Sequence, residues 1–181
     1  MDNSLKLLDT RVVFQNPYVT LHEDTVVRPN GRTGPFAWIE MKQGSIVLAL
    51  SDRHEVWLVR EYKYAIRRPS LELIGGGIDA GETPLEAAQR ELREEAGLVA
   101  REWTDMGVFD AFTTMVSSPN YLFLARGIEE VEHHPEEGEV LEIVKLPLAG
   151  VVDAIMRNEI THGPTCCLTL KVARWLESAG H

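Results

Sequence analysis

No uninterrupted apolar run approaches the roughly 18–20 residues that a membrane-crossing helix needs, so a transmembrane span is excluded. The opening residues, Met1-Asp2-Asn3-Ser4-Leu5-Lys6, lack the apolar stretch of a secretory leader, and a cytoplasmic protein is expected. Cysteine is scarce. The only two, Cys166 and Cys167, are adjacent. Neighbouring thiols make a poor structural disulfide, and without a histidine at ligand spacing they make no zinc site. They are expected to be reduced and packed in the core. Positive charge is the minor sign, with 18 Lys and Arg against 28 Asp and Glu, a net charge of −10. That balance argues against a general nucleic-acid surface, which needs basic patches to meet phosphate. A small anionic substrate bridged by a metal ion remains compatible. There are no repeats, no low-complexity tract and no long linker. A chain of 181 residues can bury a sizeable core.

What is present is concentrated between Gly76 and Leu98. Gly76 is followed after five residues by Glu82, and after seven more by Arg90-Glu91-Leu92-Arg93-Glu94-Glu95-Ala96-Gly97-Leu98. Thr83-Pro84-Leu85-Glu86 reads as a capping box, with proline at the first helical position. Gly97 is a natural stop. The helix between them is about 13 residues, roughly 20 Å long. Leu85, Ala88, Leu92 and Ala96 recur at spacings of three and four and are expected to form its buried stripe. Glu91, Glu94 and Glu95 crowd one flank, where like charges destabilise a helix unless something neutralises them. A hard cation such as Mg²⁺, which takes carboxylate and carbonyl oxygens together with substrate phosphates, would do so. Glu82 and Arg90 are spaced to meet across the junction of loop and helix. Gly75, Gly76 and Gly77 read as a glycine-rich loop beside the helix and permit close approach that a Cβ would forbid.

Elsewhere the pattern is mostly strand. Residues 12–14 and 18–27 alternate, Asn30-Gly31 signals a hairpin, and 36–41 returns. Residues 45–50 and 56–62 are strand-like and joined by the turn 51–54. Residues 71–74 form a short strand leading into the glycines. Further strands are expected near 103–109, 121–126 and 140–146. Pro147 opens a helix to about Arg157, and Pro164 opens another to about Ser178.

The 76–98 pattern resembles the Nudix box in every fixed position, and nearly the whole chain is similar to the ADP-ribose pyrophosphatase group of Nudix hydrolases. The stretch Val59-Arg60-Glu61-Tyr62-Lys63-Tyr64, then Arg68-Pro69-Ser70-Leu71-Glu72-Leu73, carries that second likeness, as do Glu139 to Val144 and the turn at His162-Gly163. The resemblance implies an α/β (α+β) fold: an α/β/α sandwich with a mixed sheet, residues 44–181, preceded by an antiparallel β-extension, residues 1–43, that pairs two copies as a homodimer. It implies hydrolysis of a diphosphate bond, with Glu91, Glu94, Glu95 and the Gly75 carbonyl as ligands to Mg²⁺, or Mn²⁺ as the alternative. Glu94, Arg90 and Glu82 are the catalytic candidates within the box. The general base is expected on a loop outside it. Glu139 is favoured, with Glu136 and Glu137 as alternates; each is also readable as a solvated acidic side chain.

A nucleoside diphosphate-linked small molecule is the implied partner. Arg60, Lys63, Arg67 and Arg68, with Glu72, are candidates to hold it, and Trp38 or Phe36 to stack on its base; solvated strand ends and ordinary packing are the competing readings. His162 stands as either a ligand contact or a structural turn residue, and His133 and His134 lack a partner at metal spacing. Two departures leave the substrate open. The group usually enters the box through Pro-Ala-Gly, where this chain has Ile74-Gly75-Gly76. The proline often found 15 to 17 residues past the box is here Thr113, Thr114 or Met115, the next being Pro119. ADP-ribose therefore stands beside GDP-mannose, UDP-sugars, NADH and dinucleoside polyphosphates. RNA decapping and a non-catalytic nucleotide sensor are the remaining classes; the acid excess weighs against the first and the intact box carboxylates against the second.

Overall fold

The computed structural model describes residues 4–132 and 141–179. They form two compact units, one made of residues up to 42 with 110–119, the other of residues 43–109 with the chain from 120 onward.

The first unit is a sheet of order β1-β2-β3-β8. Strands β1 (Lys6–Gln15), β2 (Val19–Val27) and β3 (Thr33–Met41) form an antiparallel meander, and β8 (Val116–Ser117) runs parallel to β3. The Asn16 side chain closes the first turn by accepting from the N–H groups of Tyr18 and Val19, both at 2.9 Å. In the second hairpin Val27 pairs with Thr33, so the expected Asn30-Gly31 turn sits within a wider loop. Asn30 Oδ1 accepts from the Arg32 N–H, and Gly31 takes the left-handed φ of 78° that glycine allows without strain. β1 is an edge strand exposed along its whole length.

The second unit is built on a six-stranded mixed sheet of order β10-β5-β6-β4-β9-β7. Its strands are β4 (Gly44–Ala49), β5 (Glu55–Lys63), β6 (Arg68–Gly77), β7 (Leu98–Asp110), β9 (Pro119–Glu130) and β10 (Glu142–Pro147). β4 pairs in parallel with β9 and antiparallel with β6. Among the described residues three helices complete it: α1 (Pro84–Ala96), α2 (Leu148–Met156) and α3 (Gly163–Ala179). Strand alternation sorts the core into two layers. Val56 and Leu58 of β5 pack with Leu148 and Val151 of α2 and with Leu168, Val172 and Leu176 of α3. Trp57 and Val59, pointing the other way, pack with Ala88 and Leu92 of α1. The result is an α/β/α arrangement with α1 alone on one face.

Three expectations need correction. Leu85 is not in the buried stripe of α1; it is 37% exposed, and Ala87 is buried with Ala88 and Leu92. The Ser45 hydroxyl donates to the Pro84 carbonyl at 2.9 Å, which holds the first helical turn close to β4 and suits alanine-sized contacts. The glycines 75–77 are not a loop. β6 runs on to Gly77, longer than the predicted 71–74, and pairs Gly75, Gly76 and Gly77 with Ile46, Ser45 and Gly44. Pro147 caps α2 from outside rather than occupying its first turn. Cys166 and Cys167 are free thiols at the edge of the α2–α3 layer, and burial pushes the Cys166 thiol up from its ordinary value.

Candidate active site

The β6–α1 connection is fixed by short-range bonds. The Thr83 hydroxyl accepts from Glu86 N, and the Glu86 carboxylate accepts from Thr83 N at 2.8 Å, closing the capping box. Gly97 ends the helix at φ 61°, donating to the carbonyls of Leu92 and Arg93. Gly81 makes the turn between strand and helix with φ 91°. Glu82 Oε2 accepts from Asp79 N at 2.9 Å and so pre-positions its own carboxylate.

Arg90 uses this frame to gather three carboxylates. Its Nε donates to Glu82 Oε1 at 2.8 Å, and Nη2 donates to Glu82 Oε2 at 3.1 Å and to the Gly77 carbonyl at 3.0 Å. Nη1 donates to Glu91 Oε1 at 2.8 Å and to Glu94 Oε2 at 2.9 Å. All five N–H directions of the guanidinium thus have partners. Its pKa is driven further above its usual high value, chiefly by the bond to Glu82. Glu91 is the most buried of the three, with 14% of its side chain exposed. A Cβ on Gly76 would lie 2.2 Å from Glu91 Oε1, so only glycine lets this carboxylate lie against β6. Glu95 turns to the strand as well, accepting from the Gly75 N–H at 3.0 Å. Glu82, Arg90, Glu91 and Glu94 are thus brought together, with Glu95 and Gly75 bonded beside them. Among the described residues, no three His, Cys, Asp or Glu side chains are arranged to enclose a cation. Arg90 lies between Glu91 and Glu94 instead.

A second polar cluster lies along β5, β6 and the start of α3. The Lys63 ammonium contacts the carboxylate of Glu61 and is 3.7 Å from that of Glu72, which is only 13% exposed. His162 Nδ1 is 3.5 Å from Glu72 Oε2 and 2.9 Å from the Thr165 hydroxyl. Thr165 Oγ1 in turn accepts from the Leu73 N–H at 2.9 Å. Burial lowers the Lys63 pKa, but the bond to Glu61 and the charges of Glu72, Glu61 and Glu95 outweigh it, so the net shift is upward. Burial pulls His162 below its ordinary value, with Glu72 opposing and Lys63 reinforcing. Arg68 leaves β6 to donate to the Thr161 hydroxyl at 2.9 Å.

The other candidates are scattered. Arg60 does not join Lys63. Strand alternation sends it to the α2–α3 face, where it pairs with Glu142 of β10 at 3.1 Å and lines a cavity of about 500 Å³ with Ser70, Ala154 and Arg157. Arg67 lies over the Tyr64 ring at 3.8 Å. In the first unit, Trp38 stacks on His22 with ring centroids 4.1 Å apart, and its indole N–H donates to Asp24 at 2.9 Å. Phe36 is half-buried on the same strand. His133, His134, Glu136, Glu137 and Glu139 lie outside the described residues. Two residues of the second cluster, Glu61 and Thr165, were not picked out from sequence. Thr165 carried one usable signal, its place in the first turn of a helix, where a hydroxyl tends to find a local partner.

A carboxylate-lined helix held by one arginine, against a glycine strand end, defines the class, and the chain belongs to the NUDIX domain family, which matches residues 41–163. Residues 5–39 match the nucleoside diphosphate sugar hydrolase N-terminal domain. The protein is a Nudix pyrophosphatase of the nucleoside diphosphate sugar hydrolase group. It is 24% identical to the ADP-ribose pyrophosphatase of Bacillus subtilis (strain 168) over 162 residues, 88% of each chain. It is 27% identical to the ADP-ribose pyrophosphatase of Mycobacterium tuberculosis (strain ATCC 25618 / H37Rv) over 165 residues, 89% of this chain and 79% of that one. A solved structure described as an ADP compounds hydrolase shares the fold, with a TM-score of 0.87 and 24% identity, over 97% of this chain and 96% of that chain. No helix among the described residues is long and apolar enough to cross a membrane.

Proposed function

We propose that the chain hydrolyses the diphosphate bond of a nucleoside diphosphate sugar, with ADP-ribose, split to AMP and ribose 5-phosphate, as the first substrate. The observation that carries this reading is the Arg90 assembly, which holds Glu82, Glu91 and Glu94 in one place beside Glu95. The two relatives named as ADP-ribose pyrophosphatases support the choice of substrate.

The donor set fits a hard divalent cation. Every side chain in it offers carboxylate oxygen, and three carboxylates share one guanidinium with a fourth, Glu95, bonded beside them to the Gly75 N–H, which leaves negative charge to be met. Glu91, Glu94, Glu95 and the Gly75 carbonyl would hold Mg²⁺, with Mn²⁺ as the alternative. When bound, such a cation neutralises the diphosphate, orients water and stabilises the leaving phosphate. The protein's own contribution is preorganisation. Arg90 and Glu82 lock the loop onto the helix, so the carboxylates keep their spacing without substrate. Lys63, 3.7 Å from Glu72, supplies a cation for the substrate, with Arg68 as a second candidate. Glu139 is the proposed base that takes the proton from water. Pairing of two copies through the first unit is supported by β1, an edge strand on which Leu7, Leu8, Val12, Val13 and Phe14 are each more than 50% exposed.

A phosphate-release panel with Mg²⁺ and a coupled phosphatase tests the reading. It would compare ADP-ribose, GDP-mannose, UDP-glucose, NADH and diadenosine polyphosphates, with Glu94→Gln as the blank. ADP-ribose cleaved well above the others, and lost in the variant, is the expected result. Another winner would move the substrate and keep the chemistry; no cleavage of any compound would overturn the proposal.

A further inference from the structure

The hydroxyl of Thr165 determines the protonation of its neighbour. Thr165 is fully buried, and its Oγ1 accepts from the Leu73 N–H at 2.9 Å. Its own O–H still needs an acceptor, because a buried donor left without one costs free energy. Within the described residues the polar atom in reach is His162 Nδ1, at 2.9 Å. Nδ1 therefore accepts and the imidazole is neutral, with its proton on Nε2. The burial that pulls the ring below its ordinary pKa agrees with that state. Nε2 has no hydrogen-bond partner among the described residues and is not among the buried unpaired atoms, so it reaches solvent as a donor. On the Nδ1 side of the ring, 3.5 Å from that nitrogen and beyond the 2.9 Å Thr165 bond, lies the Glu72 carboxylate, 13% exposed and balanced by Lys63.

A neutral N–H donor beside a half-neutralised carboxylate is a poor site for phosphate. The carboxylate repels an anion, and the imidazole brings no charge to offset it. The pair suits a sugar, one hydroxyl of which can accept from Nε2–H while a neighbouring hydroxyl donates to the carboxylate on the Nδ1 side of the ring. We infer that His162 is a substrate-positioning residue which, with Glu72, binds hydroxyls of the sugar half of the substrate, a site distinct from the phosphate-facing Arg90 assembly. This rests on the nucleoside diphosphate sugar reading above and narrows which part of that substrate the cluster takes.

Histidine-selective ¹⁵N NMR on the whole chain tests it first, with ribose 5-phosphate, AMP and inorganic phosphate as separate probes. The expected spectrum at neutral pH shows His162 as the Nε2–H tautomer, and ribose 5-phosphate moves that signal while inorganic phosphate does not. An Nδ1–H tautomer, or an equal shift with inorganic phosphate, would overturn the inference. Kinetics on two variants follow. His162→Ala should raise KM for ADP-ribose about five- to tenfold, the worth of one hydrogen bond, with kcat nearly unchanged. His162→Gln, whose amide N–H reaches the place of Nε2–H, should recover most of that loss. Equal losses in both variants, or a loss confined to kcat, would mean that His162 is structural. If the wild-type chain cleaves no nucleotide sugar, the function proposal falls alone, because the tautomer and the ribose 5-phosphate shift are read without turnover.

Discussion

The Arg90 assembly and the Glu72 cluster are made of the same materials, carboxylates gathered around one cation, yet they are built in opposite ways. Every side chain paired with Arg90 comes from residues 79–94, on one loop and one helix, with the Gly77 carbonyl at the end of the preceding strand. The capping box and the Glu82 turn are local bonds that need little beyond the helix itself. The Glu72 cluster draws on β5, β6 and α3. Its central bond, Leu73 N–H to Thr165, joins residues 92 positions apart. It exists only once α3 has docked on the sheet. A device coded in one short segment can be read as a motif, whereas a device assembled from distant segments cannot.

The same substitution in each cluster should separate their roles, and it gives the largest effect. Glu94→Gln removes a charge from the box, and turnover should fall about a thousandfold, corresponding to several kcal/mol of transition-state stabilisation. Glu72→Gln should act mainly on KM. Steady-state kinetics decide between these patterns. Matching kcat losses in both variants would erase the distinction between a phosphate site and a sugar site.

Next in size is a test of how the distant cluster is held. Thr165→Val keeps the shape and deletes the hydroxyl, leaving the buried Leu73 N–H without its acceptor. The expected loss is about 1–3 kcal/mol of unfolding free energy by urea titration, with an unchanged denaturant slope. A loss below about 0.5 kcal/mol would show that packing alone seats the start of α3.

The difference in construction also explains what could be read from sequence. The α1 helix, its cap, its stop and the Glu82–Arg90 pair were all legible, because each depends on spacing within some fifteen residues. Leu85 misled because periodicity gives a direction around the helix and not how closely its first turn is held to β4. The glycines 75–77 read as a loop because glycine weakens a strand pattern, yet β6 needs them where a Cβ on Gly76 would meet Glu91. Arg60 could have been placed correctly. It shares parity with Val56 and Leu58, and Lys63 with Trp57 and Val59, so one strand sends the two cations to opposite faces. Nothing local marked Thr165 or Glu61 as neighbours of Glu72, since their meeting is a property of the assembled sheet.

A smaller effect should be confined to the local cluster. Thr83→Ala removes the cap that accepts from Glu86 N and should cost about 1 kcal/mol. The His162 ring signals should stay where they are, because no bond of that cluster passes through the cap. Movement of the His162 resonances in Thr83→Ala would show that the two clusters are mechanically joined.

The smallest effect vanishes at neutral pH and appears only on acidification. Burial holds the folded pKa of His162 below the ordinary value of 6.5. Between those two values the unfolded chain binds the extra proton and the folded chain does not, so stability falls as pH drops through that window. Below the folded pKa both states are protonated and the slope disappears. The sign follows from the hydrogen bonding, since protonating Nδ1 displaces the Thr165 hydroxyl from its acceptor. In His162→Gln this part of the acid slope should be absent, while the two proteins track each other above about pH 7. Glu86 provides the internal contrast. Its carboxylate is held below the ordinary range by its bonds to Thr83, so the stability it contributes is lost only in more acidic solution. Urea midpoints measured from pH 8 down to pH 2 on the wild type, His162→Gln and Thr83→Ala resolve both windows. If wild type and His162→Gln lose stability in parallel between pH 7 and 5, His162 is not the buried neutral acceptor described here.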